Sequence, residues 1–254
     1  MRTKMEEEFL QKRFVDLANQ SYRNNIYTFT GFLSASEQDL FYRTIPQIGG
    51  ICYELFGGVE GCERQMLRFG SPEQLGYEEE FPICCVEIRP TAPKFADKLS
   101  HRDFLGALMN LGIERSTLGD IFISEKTGYV FCHEKVADYM LANVDRIRHT
   151  SVKCRLLAQA PEAVKPTLKE EHLIVTSERL DVVVAKLFHL SRSQSLLLFR
   201  EKKIFVNGRC MENNSGVCKA GDIVSVRGFG KFVYGGCVHE TKKGNLNITL
   251  ERYV

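Results

Sequence analysis

The order of strand and helix patterns between residues 81 and 157 constrains the fold of this chain more than any other feature. Two segments with apolar residues on one helical face predict helices, and the apolar or alternating segments around them predict strands. In chain order these are a strand over 81–88, a helix over 103–111, strands over 120–124 and 129–132, a helix over 134–144 and a strand over 152–157. The order β-α-β-β-α-β is that of ferredoxin-like folds, which RNA-recognition domains also use. Because that topology hosts many functions, it predicts no activity by itself.

Residues 1–75 are predicted to form a small α/β unit ahead of the ferredoxin-like domain. An amphipathic helical pattern runs through the first 30 residues, with acidic residues in its first turn. A second helix is predicted to begin near Ser34, because Glu37 stands three residues later as in a capping box, and to end at Pro46. Short elements punctuated by glycine pairs follow it.

The carboxyl-terminal part predicts two capped helices followed by strands. Ser177 is placed to cap the first helix. Ser191, with Gln194 three residues later, forms the capping box of a second helix that ends near Lys203. Asn207-Gly208 is the strongest short hairpin signal in the sequence, and alternating strands follow it.

Length and composition fit several small globular domains. A chain of 254 residues suits two or three domains, and 44% hydrophobic with 26% charged residues excludes a disordered or fibrous protein. The polar segment that contains Pro161 and Pro166 opposes a long helix and predicts a connector. We therefore predict an α+β protein with domains at 1–75, 76–160 and 177–254 and a linker at 161–176.

The cysteines and the apolar runs predict a cytoplasmic protein that binds no metal or other cofactor. No apolar run approaches the roughly 20 residues that cross a bilayer, and the first residues are too charged for a signal peptide. Nine cysteines, an odd number without any C-x-x-C spacing, predict reduced thiols. The spacings of Cys210, Cys218, Cys237 and His239 match no common metal module, which favours small buried side chains over zinc ligands.

Positive charge is concentrated at the carboxyl end of the chain. Residues 177–254 contain 13 lysines and arginines against 7 acidic residues, whereas the other 176 residues contain 21 against 25. This asymmetry between +6 and −4 suggests a module that binds a polyanion, attached to a slightly acidic body. A solvated basic face is an equally good interpretation of the charge alone.

The second helix of the carboxyl-terminal domain gathers much of this charge on one side. Arg192 and Lys203 are eleven positions apart and return to within about 20° of one face, with Arg200 partly round the same side. Ser191 and Ser193 stand at the positive end of the helix dipole, where phosphates are favoured. Arg179, Lys186 and Lys202 would extend this surface. The alternative is that Ser191 only caps the helix and the cations are solvated.

Five landmarks in order resemble the alpha-L RNA-binding domain named after the fourth small-subunit ribosomal protein. They are Arg179-Leu-Asp181, Ser191-Arg-Ser193, Lys202-Lys203, Phe205-Val-Asn-Gly208 and Ala220-Gly-Asp222-Ile-Val-Ser-Val-Arg227. The resemblance implies that the two-helix face grips folded RNA by backbone and shape. It implies RNA contacts by Arg179, Ser191, Arg192, Ser193, Arg200, Lys202, Lys203 and Asn207. Asp181 is expected to orient an arginine or to cap locally, because a carboxylate repels phosphate.

Two further motifs extend the resemblance over nearly the whole chain. Phe56-Gly-Gly-Val-Glu-Gly-Cys-Glu-Arg64 and Ser100-His-Arg-Asp-Phe-Leu-Gly-Ala-Leu-Met-Asn-Leu-Gly-Ile-Glu-Arg115, followed by Leu118-Gly-Asp-Ile121, are similar to the bacterial YlmH family. That resemblance implies a non-catalytic, monomeric factor that binds the large ribosomal subunit during quality control of stalled nascent chains. It implies ribosomal RNA and P-site tRNA as ligands and a quality-control elongation factor as a candidate partner.

The motif over residues 100–115 adds two candidate residues. Arg102 and Arg115 are candidates for additional RNA contacts, whereas Tyr129 and Phe131, which share a sheet face, favour a core role over base stacking.

The sequence contains no G-x-G-x-x-G or P-loop for a cofactor, and its one Arg-Leu-Asp belongs to the RNA-binding module. An RNA-modifying enzyme of pseudouridine synthase or methyltransferase type, using the same carboxyl-terminal domain, is the alternative interpretation.

Overall fold

Three antiparallel β-sheets organise the protein in the computed structural model, which describes residues 4–253. Two of these sheets lie in one compact unit, Met1–Lys165, and the third lies in a second unit, Pro166–Val254. Helices pack on the sheets in both units, so the predicted α+β class is confirmed.

The amino-terminal part of the first unit is a three-stranded sheet with helices. Its elements are α1 (Lys4–Asn24), β1 (Thr28–Phe29), α2 (Ala35–Thr44), β2 (Tyr53–Phe56), β3 (Met66–Phe69) and α3 (Pro72–Leu75), with sheet order β1-β3-β2. Ser34 and Glu37 form the predicted capping box of α2. Phe14 and Leu17 of α1 pack with Phe41 of α2 and Phe69 of β3 in an apolar core.

The middle of the chain forms the predicted split βαβ, with one extra short strand. Its elements are β4 (Ile83–Pro90), α4 (His101–Asn110), β5 (Leu118–Ser124), β6 (Thr127–His133), α5 (Ala137–Asn143), β7 (Arg146–Ile147) and β8 (Thr150–Leu157), in sheet order β5-β6-β4-β8-β7. One sheet face, including Val86 and Val130, packs against Phe104 of α4 and Met140 of α5. Ser100 caps α4 in a capping box with Asp103.

The opposite face of this sheet is covered by residues from the amino-terminal part and from the carboxyl end of the same unit. Phe131 of β6 and Cys85 of β4 share a buried cluster with Phe32, Met66 and Val164. The predicted boundary between residues 75 and 76 therefore falls inside one compact unit, and the division into domains at 1–75 and 76–160 stays a prediction.

The second unit is a six-stranded sheet with two helices packed on it. Its elements are β9 (Leu168–Val175), α6 (Leu180–Leu187), α7 (Arg192–Arg200), β10 (Ile204–Val206), β11 (Arg209–Cys210), β12 (Ile223–Val226), β13 (Gly230–Glu240) and β14 (Leu246–Tyr253), in sheet order β11-β10-β12-β13-β14-β9. Its core includes Val183, Leu198, Phe232 and Ile248.

The structure differs from the sequence prediction within the expected linker and at the start of the helix that follows it. Most of the segment 161–176 is not a connector, because β9 pairs with β14 from Leu168 opposite Tyr253 to Val175 opposite Leu246. The N-cap of α6 is Arg179 rather than Ser177.

Candidate RNA-binding surface

A groove with a cavity volume of about 660 Å³ runs along α6 in the second unit. The end of β9, the segment that follows it, one side of α6 and the turn into α7 line the groove. Apolar side chains, including Ile174 and Val182, line part of it, and Arg179, Lys186 and Arg192 add positive charge. The α6–α7 turn therefore brings two of the predicted contacts, Arg179 and Arg192, into one concave surface.

Arg179 is held in place by a buried carboxylate. Its Nε and one terminal nitrogen donate to the two carboxylate oxygens of Asp181 at 3.0 and 2.9 Å. Asn214 donates to the same carboxylate at 3.2 Å. Although burial opposes ionisation, the hydrogen bonds from Arg179 and Asn214 keep the pKa of Asp181 below its usual value.

This pairing leaves Arg179 able to bind a ligand. Its side chain is 38% exposed, and a guanidinium carries five N–H donors, of which the carboxylate uses two. Asp181 thus orients an arginine, which is one of the two roles expected of it, and its own charge is compensated.

The serines at the start of α7 form a capping network. Ser191 accepts a hydrogen bond from the backbone N–H of Gln194 at 3.3 Å, and its own N–H donates to the Gln194 side chain at 2.8 Å. The hydroxyls of Ser191 and Ser193 lie 3.0 Å apart. The capping box predicted for α7 is confirmed, and both exposed hydroxyls lie beside Arg192 at the positive end of the helix.

The cations of α7 and the following turn are exposed. The side chains of Arg192 and Arg200 make no hydrogen bond or ion pair with another residue between positions 4 and 253. Lys202 pairs with Glu212 at 2.9 Å and Lys203 pairs with Glu201 at 2.7 Å, and the side chains of both lysines are at least 43% exposed. Exposed pairs of this kind contribute about 0–1 kcal/mol, so either lysine can exchange its carboxylate for a phosphate at little cost.

Asn207 holds the turn of the β10–β11 hairpin. Its side-chain amide donates to Asp222 and its side-chain oxygen accepts from the backbone N–H of Ile223, each at 2.9 Å. Asn207 and Gly208 have φ angles of 49° and 78°, which a tight hairpin turn requires. The predicted hairpin is therefore confirmed, and RNA contact by Asn207 stays a prediction beside this turn-forming role.

The predicted contacts are distributed along the whole of α7. Arg179, Ser191, Arg192 and Ser193 surround its amino end, and Arg200, Lys202 and Lys203 surround its carboxyl end. A helix of nine residues separates these ends by about 13 Å. His189, which also lines the groove, was not among the expected contacts. Its position just after α6, with a φ of 52°, gives no chemical signal in the sequence.

Arg115 is largely occupied within the first unit. It donates to the carbonyl oxygens of Leu118 and Gly119 at 2.6 and 3.2 Å, and Arg64 also donates to Leu118 at 2.9 Å. Asp120 accepts from the backbone N–H groups of Glu63 and Arg64. The motifs around residues 56–64 and 100–121 thus converge in one hydrogen-bonded junction, whereas Arg102 is exposed on α4.

No metal site or membrane helix is found in the part of the chain that the structure describes. No three histidine, cysteine or acidic side chains in this part are grouped to hold a metal ion. None of the described helices is both long and apolar enough to cross a membrane.

Comparisons with known proteins give a matching family model, a similar curated protein and a similar solved structure. Residues 76–160 match the family model described as "Putative RNA-binding domain in YlmH". The chain is 29% identical over 254 aligned positions to ribosome-associated protein quality control protein P2 of Bacillus subtilis, with 95% of each chain covered. Among solved structures, cell division protein ylmH from Streptococcus pneumoniae matches with 19% identity and a TM-score of 0.48, over 62% of this chain and 94% of that one.

Proposed function

Since the matched domain and the full-length relative confirm the resemblance of this chain to the YlmH family, we propose that it is a non-catalytic RNA-binding factor of ribosome-associated quality control. It acts in the cytoplasm, binds the large ribosomal subunit and stabilises P-site tRNA while a stalled nascent chain is processed. It works as a monomer, without a cofactor, and a quality-control elongation factor is its candidate protein partner.

The observation that carries this proposal is the cationic surface along α6 and α7. Arg179 and Arg192 flank a concave groove, and Arg200, Lys202 and Lys203 continue the charge beyond it. Mobile cations together with a helix amino terminus bind RNA backbone without reading bases, which suits a folded ribosomal RNA or tRNA surface. The relative in Bacillus subtilis, named for ribosome-associated quality control, aligns over this surface as well as over the first unit.

Co-sedimentation tests the proposal directly. The purified protein is mixed with small subunits, with empty large subunits and with large subunits that carry peptidyl-tRNA, across a salt series. We expect preference for the tRNA-loaded large subunit and weaker binding as salt rises, because phosphate contacts release counterions. Equal binding to all three particles would contradict the proposal.

Charge reversal on α7 identifies the surface responsible. In the double variant Arg192→Glu with Lys203→Glu, we expect weaker subunit binding and a salt dependence that is flatter by about two units of log–log slope. The control is Lys242→Glu with Lys243→Glu, which makes the same charge change in the turn between β13 and β14. An unchanged slope in the α7 variant would place the RNA interface elsewhere.

A turnover assay separates this function from the RNA-modifying alternative. The protein is incubated with transfer RNA and ribosomal RNA, and nucleosides and fragments are then analysed by mass spectrometry. We expect neither modified nucleosides nor cleavage products, and either product would contradict a non-catalytic role.

A further inference from the structure

The sheet face that RNA-recognition domains use for base stacking is covered in this protein. Such domains stack unpaired bases on aromatic side chains of the exposed sheet face. Here Phe131 of β6 is only 2% exposed and is buried with Phe32, Met66 and Val164. Its ring packs so closely on Gly58 that a Cβ atom there would lie 2.3 Å from a ring carbon. RNA that stacked on Phe131 would have to open a core of the first unit.

The same domain carries a cleft on its helical side. The cleft has a volume of about 450 Å³ and lies between α4 and the segment that runs from the end of α5 through β7 to the turn before β8. Arg102, in the first turn of α4, lines one wall of the cleft, and Arg146 and Arg148 line the other wall. Gly106 lines the cleft without a side chain, and nothing lies within 4 Å of the position of its missing Cβ atom.

The arginines of the cleft outnumber its acidic side chains. Arg148 lies 3.5 Å from the carboxylate of Asp103, which also accepts from Ser100 as the cap of α4. Arg102 and Arg146 are exposed, and neither side chain forms a hydrogen bond or an ion pair with any residue in the described range 4–253. With Asp103 paired to Arg148, Asp145 is the one other acidic residue that lines the cleft with these two arginines.

We propose that this cleft is a second RNA-binding site, in which Arg102 and Arg146 each contact a backbone phosphate. The inference rests on the proposed function and adds to it a contact by the middle domain. Guanidinium groups suit phosphate because their planar donors bind two of its oxygens at once. A ribose 2′-hydroxyl donates a hydrogen bond, so RNA also offers Asp145 a partner between the phosphates.

The position of the arginines favours a ligand over simple solvation. Arg102 and Arg146 lie 44 positions apart in the sequence, yet the sheet and its helices bring them to opposite walls of one concave surface. Convergence without an intramolecular partner is the arrangement expected of an anion-binding surface.

Charge reversal in the full-length protein tests the cleft. The probe is a fluorescein-labelled RNA duplex of about 20 base pairs, and binding is followed by anisotropy over a potassium chloride series. The test variant is Arg102→Glu with Arg146→Glu. The control is Arg89→Glu with Lys153→Glu, which makes the same charge change at two exposed, cross-strand neighbours on β4 and β8. Both are measured alone and combined with Arg192→Glu and Lys203→Glu.

The expected result is binding about tenfold weaker for the cleft variant than for the control variant at low salt, with a log–log salt slope lower by about two. The cleft proposal is overturned if the two variants bind alike, or if the unmodified protein does not bind the duplex even at the lowest salt. Binding that depends on the cleft, together with no preference for large subunits in co-sedimentation, would support the cleft and contradict only the proposed ribosomal function.

Discussion

At the scale of single residues, the structure shows that the motif residues have unequal roles. Arg179 and Asp181 were both recognisable from Arg-Leu-Asp, and the bidentate pair between them explains why an acid stands in a basic motif. Arg115, from an equally recognisable motif, instead uses its guanidinium on the carbonyl oxygens of Leu118 and Gly119. The sequence shows that an arginine is present, but only the fold shows whether backbone carbonyl oxygens already accept its hydrogen bonds.

Replacing Asp181 by Asn tests the ion pair that orients Arg179. Because hydrogen bonds outweigh burial and hold the pKa of Asp181 below its usual value, the carboxylate stabilises the fold above its unfolded-state pKa, and this stabilisation is lost as pH falls through the folded-state pKa. We expect Asp181→Asn to lower the free energy of unfolding by about 2 kcal/mol at pH 7. The difference should shrink below about pH 4.

Urea unfolding at several pH values measures this effect. Asp16→Asn is the control, because Asp16 is an exposed acid on α1. A difference between Asp181→Asn and the unmodified protein that stays constant from neutral to acidic pH would contradict a stabilising carboxylate at this position.

At the scale of elements, periodicity and capping signals located the helices well. The capping boxes of α2 and α7 were predicted from Ser34 and Ser191, because they are local signals that need no tertiary context. Strand β9 was missed because Lys169, Glu170 and Glu171 give it the polarity of a connector. It is an edge strand, and edge strands carry charge that protects them from pairing with other chains.

The glycine at position 58 gives a prediction about how the covered sheet face is built. Gly58 has a φ of 106°, and a Cβ atom there would lie 2.3 Å from the ring of Phe131. We expect Gly58→Ala to destabilise the protein by about 2–3 kcal/mol, since it adds both backbone strain and overpacking. Thermal unfolding measures the loss.

Gly106→Ala is the matched control for this substitution. Gly106 lies inside α4, and its Cβ position has nothing within 4 Å. The same chemical change should therefore stabilise the protein by about 0.5–1 kcal/mol, because alanine favours the helix. If Gly58→Ala and Gly106→Ala changed the free energy of unfolding in the same direction, close packing on Phe131 would not explain why glycine stands at position 58.

At the scale of the whole molecule, the net charge did not indicate the cationic surface on α6 and α7, whereas the distribution of charge along the sequence did. A formal charge of +2 hides the +6 carried by residues 177–254, and the α6–α7 surface lies in that part. The cleft at Arg102 and Arg146 was invisible in the charge count, because it lies in a part of the chain where acids outnumber bases. Only the tertiary structure shows that its cations converge.

Two RNA-binding surfaces that contact the same duplex at once predict additive salt dependence. Each phosphate contact contributes about one unit to the log–log slope, and contacts on different surfaces of the protein should contribute independently. Reversing Arg192 and Lys203 should lower the slope for RNA duplex binding by about two, and reversing Arg102 and Arg146 should lower it by about two more. The quadruple variant should then lose about four units, whereas adding the Arg89 and Lys153 reversals to the α7 variant should change the slope little. A quadruple variant no flatter than the α7 double variant would show that a single surface carries all of the phosphate contacts.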